Sequence, residues 1–153
     1  MRQVAVIGSS QATEMEYEVA YRLGRIIALH GWVVVSGGRT GVMEAVSKGA
    51  AEEGGLTVGI LTTYTGEDAN PYVKVRVNTG MSWNRNPIVV ASGEFVVAVG
   101  GRYGTLTEIG YALVLGKTVI GFRTHSVEGV ENYDDPEGFL GRVEEELRAR
   151  TPA

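Results

Sequence analysis

Short apolar runs alternate with stretches of helical spacing along almost the whole chain. Gln3–Ile7 reads as a buried strand ending in Gly8-Ser9-Ser10. Met15, Val19, Leu23 and Ile26/Ile27 then recur on one helical face up to His30-Gly31, where a glycine can close the helix. Trp32–Val35 predicts a second strand, and Val42, Ala45, Val46 and Ala50 a helix running to Gly54-Gly55. Leu56–Leu61 predicts a third strand. A polar stretch, Thr62–Asn70, ends at Pro71, and Val73–Val77, interrupted by Lys74 and Arg76, is a weaker strand and the least buried one. Met81–Ala91 reads as a helix with Ser82 as its cap and Pro87 confined to its first turn. Strand Phe95–Val99, helix Thr105–Leu115 and strand Thr118–Phe122 follow. Asp135 caps a last helix that has Pro136 in its first position and Phe139, Leu140, Val143 and Leu147 on its apolar face.

Alternation of this kind calls for a parallel sheet covered on both faces by helices. The expected fold is α/β, a doubly wound Rossmann-like sheet forming one nucleotide-binding domain over residues 1–153. Ligands of such sheets bind beyond the carboxyl ends of the strands. Gly8-Ser9-Ser10, the start of the Ser82 helix and two glycine turns all follow strands, so all four should share that edge.

The two turns carry the most chemistry. Val33–Ser36 empties into Gly37-Gly38-Arg39-Thr40-Gly41, and Phe95–Val99 into Gly100-Gly101-Arg102-Tyr103-Gly104, each directly before a helical pattern. A helix start leaves backbone N–H groups unpaired at the positive end of its dipole, and glycine lets an anion come close to them. The candidate phosphate or ligand contacts are therefore Gly8, Ser9, Gly37, Gly38, Gly41, Gly100, Gly101, Gly104 and Thr105. The plainer alternative is that the glycines only allow tight turns. No Gly-Lys-Ser/Thr follows either turn, and neither fits Gly-X-Gly-X-X-Gly, so neither a P-loop nor the dinucleotide fingerprint is present. No wider internal duplication accompanies the repeated turn.

Composition narrows the classes. At 153 residues, 44% hydrophobic and 21% charged, the chain suits a soluble domain with one core. It lacks cysteine and so has neither disulfides nor thiolate metal sites, and no charged-then-apolar leader follows Met1. Both fit a cytoplasmic protein. No run approaches the ~18 apolar residues of a membrane span. With net charge −4 and no lysine–arginine cluster, a nucleic-acid partner is not expected, whereas a small anion held by backbone amides is compatible. His30 and His125 lie far apart in sequence, and no metal site is expected.

Two charged residues stand out as catalytic candidates, Arg85 and Glu108. Glu108 follows Thr105 at capping-box spacing, which would account for it locally. Alternatively, a carboxylate one turn inside a phosphate-binding helix would bind sugar hydroxyls or act as a base beside them. Arg85 gains nothing from a helix start, where the dipole repels it, so an anion or Glu108 is its natural partner; an exposed arginine bonded to water is the alternative. Arg39 and Arg102 either aim a guanidinium at phosphate or face solvent.

Three segments together resemble one superfamily. They are Ser36-Gly37-Gly38-Arg39-Thr40-Gly41-Val42-Met43-Glu44, Asn84-Arg85-Asn86, and Gly100-Gly101-Arg102-Tyr103-Gly104-Thr105-Leu106-Thr107-Glu108. The superfamily comprises the molybdenum cofactor carrier proteins and the LOG phosphoribohydrolases, once misannotated as lysine decarboxylases. The hydrolase motif reads Pro-Gly-Gly-X-Gly-Thr-X-Glu-Glu with an upstream Arg-Lys pair. Arg85, Thr105 and Glu108 match it, while Val99, Thr107, Asn86 and an extra residue between the glycines depart from it. Those departures and the short length are closer to the carrier branch. The resemblance implies binding of a phosphorylated nucleotide-like or molybdopterin-type cofactor as ligand, with no further cofactor required, by a homo-oligomer (dimer or tetramer). Trp83 and the apolar stretch Tyr111–Leu115 offer interface surface. The alternatives are a nucleoside 5′-monophosphate phosphoribohydrolase working through Arg85 and Glu108, and a regulatory or assembly module with a vestigial pocket.

Overall fold

The computed structural model describes residues 1–152, and Ala153 lies outside it. The chain runs β1 (Gln3–Gly8), α1 (Glu14–Leu29), β2 (Val33–Ser36), α2 (Val42–Glu52), β3 (Thr57–Leu61) and β4 (Val75–Asn78). A 3-10 turn at Ser82–Arg85 leads into α3 (Asn86–Ala91), followed by β5 (Val96–Val99), α4 (Tyr103–Val114), β6 (Val119–Phe122), β7 (Val130–Tyr133) and α5 (Pro136–Arg150). The seven strands form one parallel sheet in the order β4-β3-β2-β1-β5-β6-β7. The chain winds outward from β1 to β4, then crosses back to place β5 against the other side of β1. That reversal between β1 and β5 opens a crevice at the carboxyl edge. No helix among the described residues is long and apolar enough to cross a membrane.

Side-chain alternation decides which helices cover which face. Val4, Val6, Val34, Val97 and Val99 point to one side, where they pack with Leu23, Ile27, Val46 and Phe139 of α1, α2 and α5. Ala5, Ile7, Val35, Val96 and Ala98 point to the other, against Val89 and Val90 of α3 and Ile109 and Ala112 of α4. Both faces are covered, so β2, β5 and β6 are buried at every position and β1 at all but its two ends, and apolar, largely β-branched runs satisfy them. Burying Phe139, Leu140, Val143 and Leu147 attaches α5, each contributing about 1.5–3 kcal/mol. The Asp135 carboxylate accepts from the Gly138 amide at 2.6 Å, and Pro136 opens that helix as expected.

The weaker strand predicted over Val73–Val77 lies at Val75–Asn78, on the sheet edge, exposed at all four positions. Elsewhere the structure corrects the reading. The first helix starts at Glu14, because Thr13 and Glu16 form a reciprocal capping box. Ser82 caps nothing. It has φ +54°, and Met81–Ala91 divides into the 3-10 turn and the six-residue α3. Pro87 accounts for the division: its missing N–H and fixed φ suit a helix start, so α3 begins at the residue before it. Strand β7 was not anticipated. Its sequence, Val-Glu-Asn-Tyr, has no apolar run, and it pairs on one side alone, with β6.

Candidate functional site

The second glycine turn leaves a helix end open. Gly100 and Gly101 take φ values of +60° and +109°, turning the chain sharply off β5. The Gly100 amide donates to Phe122 O at 2.9 Å and the Gly101 amide to Ser9 Oγ at 2.7 Å, which pins the turn to β6 and to the end of β1. Arg102 then occupies the cap position without a capping side-chain bond, and its carbonyl accepts from the Leu106 amide at 3.0 Å. The amides of Tyr103, Gly104 and Thr105 have no partner among the described residues, and the positive end of the α4 dipole stands behind them.

Because α4 starts two residues before Thr105, the Thr105–Glu108 capping box does not form. Glu108 instead lies in the second turn, buried to 8% exposure, with neither a hydrogen bond nor an ion pair to another described residue. Burial pushes its carboxyl up from 4.5 to about 7, and the positive charge of Arg85 opposes that rise. Thr107, the neighbour on α4, turns its hydroxyl back to donate to Gly104 O at 2.6 Å.

Arg85 ends the 3-10 turn and is 4% exposed. Its Nε donates to Ile60 O at 2.7 Å, one terminal nitrogen to Asn86 Oδ1, and the other to Gly37 O at 3.3 Å. These neutral acceptors hold the guanidinium in place and leave its charge unneutralised; no direct ion pair with Glu108 forms. Burial pulls its pKa down, Glu108 opposes this, and an arginine stays charged throughout. Gly37 is needed for this fit. A Cβ there would lie 2.5 Å from Arg85 Nη2 and 2.7 Å from Met43 Sδ.

Arg85 and Glu108, from separate elements, line one cavity of about 610 Å³ at the carboxyl edge of the sheet. Gly8, Ser9, Gly37, Gly104 and Thr105 line it with them. Gly38, Gly41, Gly100 and Gly101 do not. Gly38 packs onto Leu61 and Gly59 of β3, Gly41 against the carbonyls of Ser9 and Ser10, and Gly100 and Gly101 against Glu16 and Thr105. These four shape the turns from behind the cavity wall.

The profile of the SLOG cluster4 family matches residues 1–148. The chain belongs to that family. Among solved structures, the molybdenum cofactor binding protein of Rippkaea orientalis is 34% identical, with TM-score 0.87, over 95% of this chain and 97% of the other. The molybdenum cofactor carrier protein of Chlamydomonas reinhardtii is 30% identical, with TM-score 0.85, over 97% and 99%. A cytokinin riboside 5′-monophosphate phosphoribohydrolase of Mycobacterium marinum is 33% identical over 110 residues, 69% of this chain and 59% of that enzyme. The matching stretch thus spans well under two thirds of the hydrolase.

In this member of the SLOG cluster4 family the cavity wall includes residues that the motifs do not single out. Trp83, Tyr103 and Tyr111 line it and remain exposed at 63%, 80% and 49%. Trp83 and Tyr111 read from sequence as interface surface, and exposed aromatic residues carry no periodic signal that would separate the two roles. Arg39 stacks on the Trp83 ring at 5.1 Å and pairs with Asp68 at 3.5 Å. Thr62 and Thr63 hydroxyls hold that carboxylate at 2.7 and 3.1 Å. Arg102 also faces the cavity and makes no ion pair among the described residues. With Asp68 set against Arg39, the three arginines still outnumber the carboxylates, Asp68 and Glu108, and give this cavity positive charge on a chain whose net charge is −4.

Proposed function

We propose that the protein binds a phosphorylated nucleotide-like or molybdopterin-type ligand in this cavity and acts as its carrier. One observation carries the reading: the uncapped start of α4 opens, with three free amides, into a cavity that Arg39, Arg85 and Arg102 make positive. The phosphate sits on the amides of Tyr103, Gly104 and Thr105. Gly8 and Ser9 line the cavity beside that turn, and Trp83, Tyr103 and Tyr111 offer flat faces to the ligand's ring system. A volume of about 610 Å³ suits a molecule of that size. The likeness to the two molybdenum cofactor proteins supports the same reading. The protein works as a homo-oligomer, most simply a dimer, through the exposed apolar residues of α4.

A second reading, cleavage of the N-glycosidic bond of a nucleoside 5′-monophosphate, is favoured by Glu108. A buried carboxyl titrating near neutrality, one turn from the phosphate, is placed to orient ribose hydroxyls or water. Thr107 weighs against it. The related hydrolases have a second glutamate there, and a hydroxyl already bonded to Gly104 O neither stabilises an oxocarbenium-like centre nor serves as a base near pH 7.

The test combines native mass spectrometry of freshly purified protein with titration of 15N-labelled protein by adenosine 5′-monophosphate. Shifts at the Tyr103, Gly104 and Thr105 amides, without release of adenine and ribose 5-phosphate, are expected. Binding that leaves those amides unmoved overturns the proposed site. Rapid turnover that Glu108→Ala abolishes makes the hydrolase reading the right one.

A further inference from the structure

Gly104 and Glu108 are four residues apart on α4, so they share one face, and helical side chains lean back toward the N-terminus. Gly104 has no side chain, and a Cβ there would meet only Asn86 Nδ2, at 3.8 Å. In the first turn of α4 only Thr105, three residues before Glu108, also carries a side chain on this face, and Gly104 leaves the way from the Glu108 carboxyl to the three free amides open. The Glu108 backbone lies about one helical turn beyond Gly104, and its side chain leans back across Gly104 toward an anion on those amides.

A carboxylate and a sulfate- or phosphate-like dianion are both acceptors, so a hydrogen bond between them needs a proton on one. Two like charges at this separation in a buried site also repel, which favours the protonated acid. We propose that Glu108 meets the bound oxyanion as the neutral acid, its O–H donating to the anion, so that each dianion captured by protein whose Glu108 is ionised brings one proton in from solvent. The inference rests on the anion occupying the start of α4, as proposed above.

The surrounding groups leave the proton to Glu108. Arg85, from the 3-10 turn, is tied to Ile60 O, Asn86 Oδ1 and Gly37 O, and so cannot swing across to neutralise the carboxylate. Arg39, from the first glycine turn, is engaged by Asp68 and Trp83. From α3 comes the neutral Asn86, and from the end of β1 and the residue after it the untitratable Gly8 and Ser9; the adjoining residues of β5 and β6 are apolar. Arg102 at the α4 cap and Tyr103 and Tyr111 on α4 itself also line the cavity, all three exposed. Lys117 is occupied at the far end of α3, where it donates to the Val90 and Ala91 carbonyls. A midpoint near 7 for Glu108 puts the exchange within reach at ordinary pH.

Sulfate is the probe, because it stays a dianion throughout the neutral range and contributes no proton of its own. Titrations of 15N-labelled protein, with 13C-carboxyl glutamate as a second reporter, are run with and without sulfate from pH 5.5 to 8.5. The expected result is that sulfate shifts the Tyr103–Thr105 amides and raises the Glu108 midpoint. Its affinity then falls, approaching tenfold per pH unit, between the midpoint of the free protein and the raised midpoint of the complex. Glu108→Gln should bind sulfate with little pH dependence, since the amide keeps an N–H donor and cannot ionise. Amide shifts with an unmoved Glu108 midpoint and a pH-independent affinity overturn the proton coupling and leave the binding site standing. If neither sulfate nor adenosine 5′-monophosphate moves those amides, the site reading fails and the inference fails with it.

Discussion

Replacing Glu108 with glutamine should stabilise the protein, and should do so only above mildly acidic pH. The carboxyl titrates near 4.5 in an unfolded chain and near 7 in the fold, with burial as the main cause. That gap of about 2.5 pH units corresponds to roughly 3 kcal/mol at 1.36 kcal/mol per unit. The sign follows from proton counts. Well below pH 4.5 the group is protonated in both states, and the wild type bears no penalty. Between 4.5 and 7 the unfolded chain ionises first, so the folded state holds more protons and loses stability as pH rises. Above 7 the penalty is complete. Glutamine fills nearly the same volume and has no charge to desolvate, so the variant should match the wild type near pH 4 and exceed it by roughly 3 kcal/mol near pH 8. For a chain of this size that is about 6–12 °C in Tm. Urea unfolding followed by tryptophan fluorescence, at equal protein concentration and without ligand, measures the difference, and groups other than Glu108 cancel between the two chains. A difference that stays flat between pH 4 and pH 8 would refute the reasoning, because it would mean that the carboxyl is not desolvated in the folded state.

Gly37→Ala should lose about 1–3 kcal/mol by overpacking against Arg85 and Met43, and should weaken the amide shifts produced by adenosine 5′-monophosphate. Unchanged stability and unchanged shifts would show that Gly37 does not hold Arg85 in place. Light scattering at tens of micromolar should give a dimer mass or higher, because Leu106, Tyr111 and Val114 of α4 and the adjoining Leu115 are exposed at 39–83%. A monomer mass at that concentration would remove the interface proposed for this helix.

Much of the scaffold is legible in the chain because a doubly covered parallel sheet needs continuous apolar strands. Val33–Val35 and Val96–Val99 have no other plausible role. The placement of Arg85 and Glu108 on one cavity was also legible, since topology brings the ends of β1, β2 and β5 together. What escaped depends on contacts made at a distance. Strand β7 exists because its backbone pairs with β6, and its side chains do not announce it. The start of α4 is set by Gly100 and Gly101, which let the helix begin before Thr105 and so release Glu108 from any cap. Arg85 suggested an anion or Glu108 as its partner, but its guanidinium found carbonyls of β3 and of the first turn, which no local pattern encodes.

The two glycine turns look alike in sequence and do different work, and Ser9 at the end of β1 shows how. Its carbonyl accepts from the Val42 amide at 2.9 Å, so the start of α2 is partly satisfied from within the protein. Ser36 Oγ takes the Gly38 amide at 3.0 Å, and the carbonyl of Gly37 faces Arg85. The first turn thus presents an acceptor to the cavity and fixes a buried cation. The Ser9 hydroxyl takes the Gly101 amide, which braces the second turn, but it stops short of the amides at positions 103–105. Among the described residues α2 then keeps two unpaired amides, at Met43 and Glu44, and α4 keeps three, so α4 has the more open start. An anion entering between the turns meets free donors on the α4 side and, on the other, a fixed positive charge whose carbonyl ligands prevent it from moving forward. A motif search would score the turns as duplicates. The hydrogen bonds make one a support for Arg85 and the other the proposed landing place for the ligand.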